Sequence, residues 1–499
     1  MALKLAVETI KLETIKYQKL PADDAEEFEE EIKEENDDYH WFQRSLCFTL
    51  SVITITVLGL MLFVPRHDRL QHLRLTTQQP PTTTLRPPVF VRPKEVENLN
   101  CSADFHSYRK YRITIADPKN ETDVSVDCKS IHERHFFQLD NRYPEEHDFP
   151  IAYARAVYTD YLFLEMDLAV SYSPQNFYCY AIDSNASSLF HKRMHALADC
   201  FPNVFLTKHE FHMDSAGHNM GYSHRECMLV LAKPELKWNY LILLQASVHV
   251  INAVQNHDVP LKTNEELVQI FQWYDGANDI SANSVPWERV NKNANWTFEA
   301  MHLFKNETKN LLPFKGYKPT LRLAKSLVQV SVSRAMIDFM VNDLDLSGLM
   351  KNIEWKVYGI DELLMGSLNS ADAVNAPGGF TDFCLDHHTG DSSMTRLTIW
   401  MDGKAKCPTK WRHWICLFGV EHLQDLKHRD HLFANKFLPS FDFGAIVCWY
   451  EELFKRRHYD RGMHRLNSKV YLNLPHVRFN RERKKLGDKF NVTQFACKG

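Results

Sequence analysis

Apolar residues fall along this chain in two rhythms. From Ile151 onward, short fully apolar stretches alternate with segments of helical periodicity. Ile151–Tyr158 (IAYARAVY), Phe177–Ile182 (FYCYAI), Val204–Leu206 and Tyr240–Leu244 (YLILL) read as strands. The intervals carry helices, one through Met194 and Leu197 and another containing Cys227 to Leu231. Apolar runs separated by helices predict a mostly parallel sheet covered on both faces, so the expected class is α/β with a Rossmann-type core. Ligands in such sheets sit at the carboxyl ends of the strands. Asp183, which ends the second strand, is thus a candidate to hold a base or ribose, against the plainer reading of a turn or capping aspartate.

The second rhythm is a single uninterrupted run. Leu46 to Val64 (LCFTLSVITITVLGLMLFV) contains no charge and is flanked by Arg44 and Arg66. As a helix it spans roughly 28 Å, about the hydrocarbon thickness of a bilayer. A cleaved signal peptide fits poorly, because an acidic segment (AEEFEEEIKEENDD) precedes the run and no small-residue cleavage site follows it. A buried core helix would usually show a polar stripe. The expected organisation is a cytosolic tail over 1–44, a membrane anchor over 45–65 and a Thr/Pro-rich stem over 66–100. A globular domain over 101–457 and a C-terminal extension over 458–499 follow.

Glycosylation sequons and cysteines orient this anchor. Asn100, Asn120, Asn185, Asn295, Asn306 and Asn491 each begin an Asn-x-Ser/Thr site, and all lie after the run. Used sequons place everything beyond Val64 on the lumenal side, a single-pass type II topology. Arg66, Arg69 and Arg74 on the lumenal flank count mildly against that orientation. Of the eleven cysteines, Cys47 lies in the run and the rest lie downstream, an even number that reads as disulfides in an oxidising compartment. No cysteine pair has zinc-finger spacing. The net charge of −4 implies no basic field for nucleic acid, and the run RFNRERKK (478–485) reads as a solvated tail or helix face.

Five segments, in one order, carry a resemblance: PQNFYCYAID (174–183), CFPNVFLTK (200–208), HDVPLKTNEELV (257–268), DELLMGSL (361–368) and ICLFGVEHL…HLFANKF (415–437). Together they resemble the core 2/I-branching β-1,6-N-acetylglucosaminyltransferases, relatives of the peptide O-xylosyltransferases. The resemblance runs from about Asp148 to Leu453. It implies a GT-A-like fold and an inverting, metal-independent transfer from a UDP-sugar to a glycan or glycoprotein acceptor in the Golgi membrane. N-acetylglucosamine is the first expectation for the donor sugar and xylose the second. It also implies disulfides Cys101–Cys448, Cys128–Cys200, Cys179–Cys227 and Cys407–Cys416. Cys384 and Cys497 have no counterpart in the family and are left to pair, stay free or bridge to another chain.

The resemblance assigns roles residue by residue. Glu362 matches the family's general base, with Asp361 beside it; two acids in the first turn of a helix are the structural alternative. Lys436 matches a lysine on the diphosphate. The family's second diphosphate cation, an Arg in the short Cys–Cys loop, falls at His413, with Arg412 adjacent. Trp400 matches a tryptophan that stacks on the acceptor, and Lys292 and Trp296 match a Lys-x-x-Arg-Trp pattern whose Arg is Asn295 here. A family acceptor-binding Glu is Ser281, and a Gly-Ser pair is Lys325-Ser326. Asp343-Leu344-Asp345 has the form of a metal motif but follows a helix-like stretch and reads as surface loop. Ala246 to Gln255 is an insertion relative to the family, either a substrate loop over the cleft or an error in the coding sequence. These departures keep a non-catalytic, lectin-like or scaffold relative as the rival to an enzyme.

Overall fold

In a computed structural model of the chain, β1 (Ile151–Val157) is buried along its whole length. It runs parallel to both neighbours, β2 (Phe177–Ile182) on one side and β4 (Tyr240–Leu244) on the other, with β3 (Val204–Leu206) outside β2. Residues 87–101, 112–214, 216–244, 247–248, 254–255, 257–355, 358–387, 393–402 and 404–498 are described. The proposed anchor and most of the stem lie outside them. Among the described residues no helix is long and apolar enough to cross a membrane.

Parallel neighbours require crossovers, and helices Tyr161–Ser171, Ser188–Asp199 and Met220–Leu231 supply them. Side chains alternate across each strand. Tyr153, Tyr178 and Ile242 enter one hydrophobic cluster; Ala154, Cys179 and Leu243 enter the other. The first cluster packs against the helices Asn264–Tyr274 and Pro439–His458, the second against Met220–Leu231 and Arg334–Asn342. This is the two-faced α/β sheet expected from the apolar runs, and the strand limits agree to within a residue.

Shorter strands build the site. β5 (Ser247–Val248) and β6 (Val254–Gln255) pair antiparallel within 246–255. β7 (Val259–Pro260) belongs to a second sheet, and β8 (Asn283–Ser284) pairs with β9 (Ala324–Lys325). β10 (Val330–Ser333) closes the main sheet as an antiparallel edge on β4. β11 (Arg396–Thr398), β12 (Trp411–Arg412), β13 (Ile415–Cys416) and β14 (Phe433–Asn435) follow. The second sheet has the order β11-β14-β7, with β11 and β14 parallel.

Disulfides join distant parts: Cys101–Cys448, Cys128–Cys200, Cys179–Cys227, Cys407–Cys416 and Cys384–Cys497. The last resolves the open question of the two extra cysteines in favour of pairing. It pins the C-terminal segment beneath β8 and β9. There Phe380, Phe479, Phe495 and both sulfurs pack with Ala282 and Ala324. The basic run at 478–485 lies on the helix Pro475–Leu486, which buries Phe479 and Asn480 while Lys484 pairs with Asp275.

Candidate active site

Gly359 opens the Glu362 wall. It has φ +75°, and a Cβ there would lie 2.6 Å from the Arg289 guanidinium, so both backbone and space favour glycine. Its N–H donates to the carbonyl of Ala216 at 2.8 Å. A 3-10 turn, Ile360–Glu362, follows and leads into the helix Leu364–Ser370. Asp361 turns its carboxyl against Gly217, where any Cβ would overlap it. Glu362 turns the other way, into an ion pair with Arg289 and a second with Lys325 Nζ at 3.3 Å. Its carbonyl accepts the Ser326 N–H at 2.8 Å. Tyr358 lies under Arg289, 5.7 Å from guanidinium carbon to ring centroid. Burial and the Glu362 and Asp361 carboxylates push the Tyr358 phenol up to about 12.

The remaining acceptor-side residues are dispersed. Lys292 does not reach Glu362; its ammonium sits 4.4 Å from the exposed Trp287 ring. Asn295 is exposed and accepts from Thr297 N–H and Oγ1 at 3.1 and 2.9 Å. Trp296 donates to the Asn291 carbonyl. Ser281 is buried and accepts the Leu327 N–H at 3.1 Å, a structural task. Arg289, which the motifs did not single out, takes the place at Glu362. Its signal was faint, since it lies three residues before Lys292 and outside the matched pattern.

A second group is cationic and deeply buried. Lys436 is fully enclosed just after β14, and its ammonium has no hydrogen-bond partner among the described residues. Burial, then the charges of Arg396 and Arg412, lower its pKa to about 7, with Asp258 opposing. Arg396 starts β11; it donates to Gln329 at 2.8 Å and pairs with Asp258 at 3.2 Å. Arg412 ends β12, and the hairpin turns through His413 and Trp414, both at positive φ (51° and 64°). Two consecutive left-handed residues make a tight hairpin turn. His413 therefore occupies the tip, while Arg412 is the residue whose field Lys436 feels. Of the three cations Arg412 is the least buried.

One short segment joins the two groups. Lys325 contacts Glu362, Ser326 bonds its carbonyl, and Gln329 holds Arg396. Four residues span at most about 14 Å even when extended. The carboxylate and the cations are therefore set at opposite ends of one strap between β9 and β10.

Other candidates fall elsewhere. Asp183 is buried, and its oxygens accept the N–H groups of Asn185 (2.7 Å) and Met213 (2.8 Å), so it ties the turn after β2 to the segment after β3. Trp400 is 42% exposed and bridges to Ile415, which sets it beside the Arg412 hairpin, where Trp414 is also exposed. Asp343 caps the helix Arg334–Asn342, and Asp345 accepts the Ser347 N–H at the next helix. Among the described residues no cluster of His, Cys, Asp and Glu is arranged to hold a metal.

Comparison with known proteins places these groups in context. The Core-2/I-Branching enzyme family model matches residues 151–427, more than half of the chain. The chain is similar to beta-1,3-galactosyl-O-glycosyl-glycoprotein beta-1,6-N-acetylglucosaminyltransferase 4 of Danio rerio. The two are 26% identical over 393 residues, 74% of this chain and 86% of that one. It is 27% identical to the human transferase 3 of the same name over 348 residues, 66% of this chain and 74% of the relative. The corresponding transferase of Bovine herpesvirus 4 is 27% identical over 346 residues, 66% and 73% of the two chains.

Proposed function

The chain belongs to the Core-2/I-Branching enzyme family, and from that premise we propose that it transfers N-acetylglucosamine from its UDP donor to an O-glycan-type acceptor. The reading is an inverting, metal-independent displacement in the Golgi lumen, with the enzyme held by the apolar run Leu46–Val64 as a type II anchor. In the step, the acceptor hydroxyl oxygen bonds to the anomeric carbon while the bond from that carbon to the diphosphate oxygen breaks. Glu362 takes the hydroxyl proton, and UDP leaves with the bonding electrons.

The observation that carries this reading is the strap between the two groups. A carboxylate at one end and three basic side chains near the other match the two demands of the step. Pre-positioned cations stabilise a departing diphosphate without having to reorganise. Lys436 has the signature of a group kept for an anion: it is buried, has no hydrogen-bond partner among the described residues, and is depressed to about 7. Binding a diphosphate would restore its proton. Arg412, in place of the absent loop arginine, offers a planar fork that His413 lacks. Asp183 would act on the uridine side indirectly, through the turn it holds.

A second reading has one observation in its favour. Glu362 is engaged by two cations at once, as expected for a residue kept for structure in a non-catalytic relative. Incubating the purified full chain in detergent with UDP-N-acetylglucosamine or UDP-xylose, with EDTA present, separates the readings. Release of UDP with the first donor supports the proposal. Turnover with UDP-xylose alone moves the donor assignment to xylose. Turnover of neither supports the scaffold.

A further inference from the structure

We infer that the acceptor glycan carries a fixed negative charge near the hydroxyl that is glycosylated, and that Arg289 and Lys325 recognise it. The inference rests on the reading of Glu362 as the base. Its ground is the charge count at that residue. Arg289 and Lys325 bring two positive charges to one carboxylate, and all three side chains are partly buried, at 20%, 29% and 21% exposure. The next acid, Asp361, sets its carboxyl against Gly217, and its charge, with that of Glu362, acts on the Tyr358 phenol beneath Arg289. Glu288, beside Arg289, is exposed.

The transfer step makes this excess worse. When Glu362 accepts the hydroxyl proton its charge is lost, and two cations then face a neutral carboxyl in a site from which the acceptor has displaced water. Desolvated, unpaired cations are costly. An anionic group on the acceptor removes that cost. It draws Arg289 and Lys325 off the carboxylate as it docks, and it stays to balance them after proton transfer. Arg289 suits the task because its fork accepts a carboxylate or sulfate through two bonds. The Lys325 ammonium, brought by β9, adds to the positive charge that Arg289 sets on this wall.

The shared chemistry is an anion on the acceptor; its source is either a uronic acid carboxylate or a sulfate ester, and the experiment separates them. The full chain in detergent is assayed with UDP-N-acetylglucosamine and three acceptors. One is the neutral aryl glycoside of galactosyl-β-1,3-N-acetylgalactosamine, one is the same disaccharide sulfated on galactose, and one has glucuronic acid in place of galactose. At least one acidic acceptor should show kcat/KM tenfold or more above the neutral one. Added salt should raise KM for the acidic acceptor and leave the neutral one nearly unchanged. Lys325→Gly and, separately, Arg289→Gln should each pull the ratio toward one. Because the comparison of acceptors on the unaltered chain already decides the matter, misfolding of a variant does not rescue the inference. A neutral acceptor used as well as both acidic ones overturns it. UDP release with no transfer to either acidic acceptor overturns it while leaving the enzyme reading intact. Absence of both UDP release and transfer takes down that reading and the inference with it.

Discussion

The two ends of the active-site strap are built on different principles. The cation end is a product of strand register: Arg396 opposes Phe433 in a parallel pair, and Lys436 follows the last paired residue of β14. Those side chains are buried and cannot wander. The carboxylate end is built on turns: a left-handed Gly359, a single 3-10 turn, and a two-residue strand pair at β8–β9. Its side chains remain partly open to solvent. Side chains fixed by strand register leave little freedom for change, whereas a partly exposed position such as Lys325 accepts substitution without disturbing the core. Departures from the family pattern occur at both ends, His413 in the hairpin beside the cations and Lys325 beside Glu362.

The contrast is broken most directly at Glu362. Glu362→Gln keeps the shape and removes the base, so kcat should fall by about 10²–10⁴. UDP affinity, which belongs to the other end, should stay within twofold or so of the unaltered chain. A variant that retains transfer displaces Glu362 as the base.

The next effect is on stability. Phe479, Phe495 and Cys497 support β8–β9 from below through Cys384–Cys497. Replacing both cysteines by serine should destabilise the fold by about 2–5 kcal/mol, read as a drop in thermal midpoint. Acceptor KM should rise and UDP affinity should not. Equal damage to both would mean that the two ends are not mechanically separate.

Lys436 sharpens the donor side through pH. Its ordinary pKa of 10.5 falls to about 7 in the fold. Between those values the unfolded chain keeps a proton that the folded site has lost, so this contribution to stability grows as pH rises from 7 to 10.5. Nucleotide affinity moves the opposite way, because the diphosphate needs the protonated form. It should weaken by up to about tenfold per pH unit above 7. Calorimetric titration with UDP from pH 6 to 9 measures this, and Lys436→Arg should flatten the slope. A flat profile in the unaltered chain removes the lysine from the diphosphate site.

The smallest effect is expected at Trp400. A stacked aromatic contributes about 0.5–1.5 kcal/mol, so Trp400→Ala should raise acceptor KM roughly three- to tenfold with kcat little changed. No change would place the exposed ring outside the acceptor path.

Much of the fold was legible without coordinates. Fully apolar runs such as YLILL have few places to go other than a strand covered on both sides, and intervals with helical periodicity supply the covers. The site was legible in part. Glu362, Lys436 and Arg412 could be named because their neighbours form motifs. Arg289 could not, since nothing within a few residues of it signals the distant carboxylate. Asp183 shows the reverse case. A carboxylate at a strand end looks the same in sequence whether it awaits a ligand or, as here, accepts the N–H of Asn185 in its own turn and that of Met213 beyond β3.

What the chain determined alone was local or written in one dimension: the alternation of strand and helix, the long apolar run, the positions of sequons and cysteines, and the order of motifs. These follow from the preferences of neighbouring residues and survive any tertiary arrangement. Only the folded structure decided which charges meet. It set Lys325 and Arg289 on Glu362, brought the charge of Arg412 to bear on Lys436, and closed Cys384 onto Cys497. Each of those outcomes depends on bringing together residues far apart in the chain. Their separation is set by the packing of whole elements, and no short stretch of sequence carries that information.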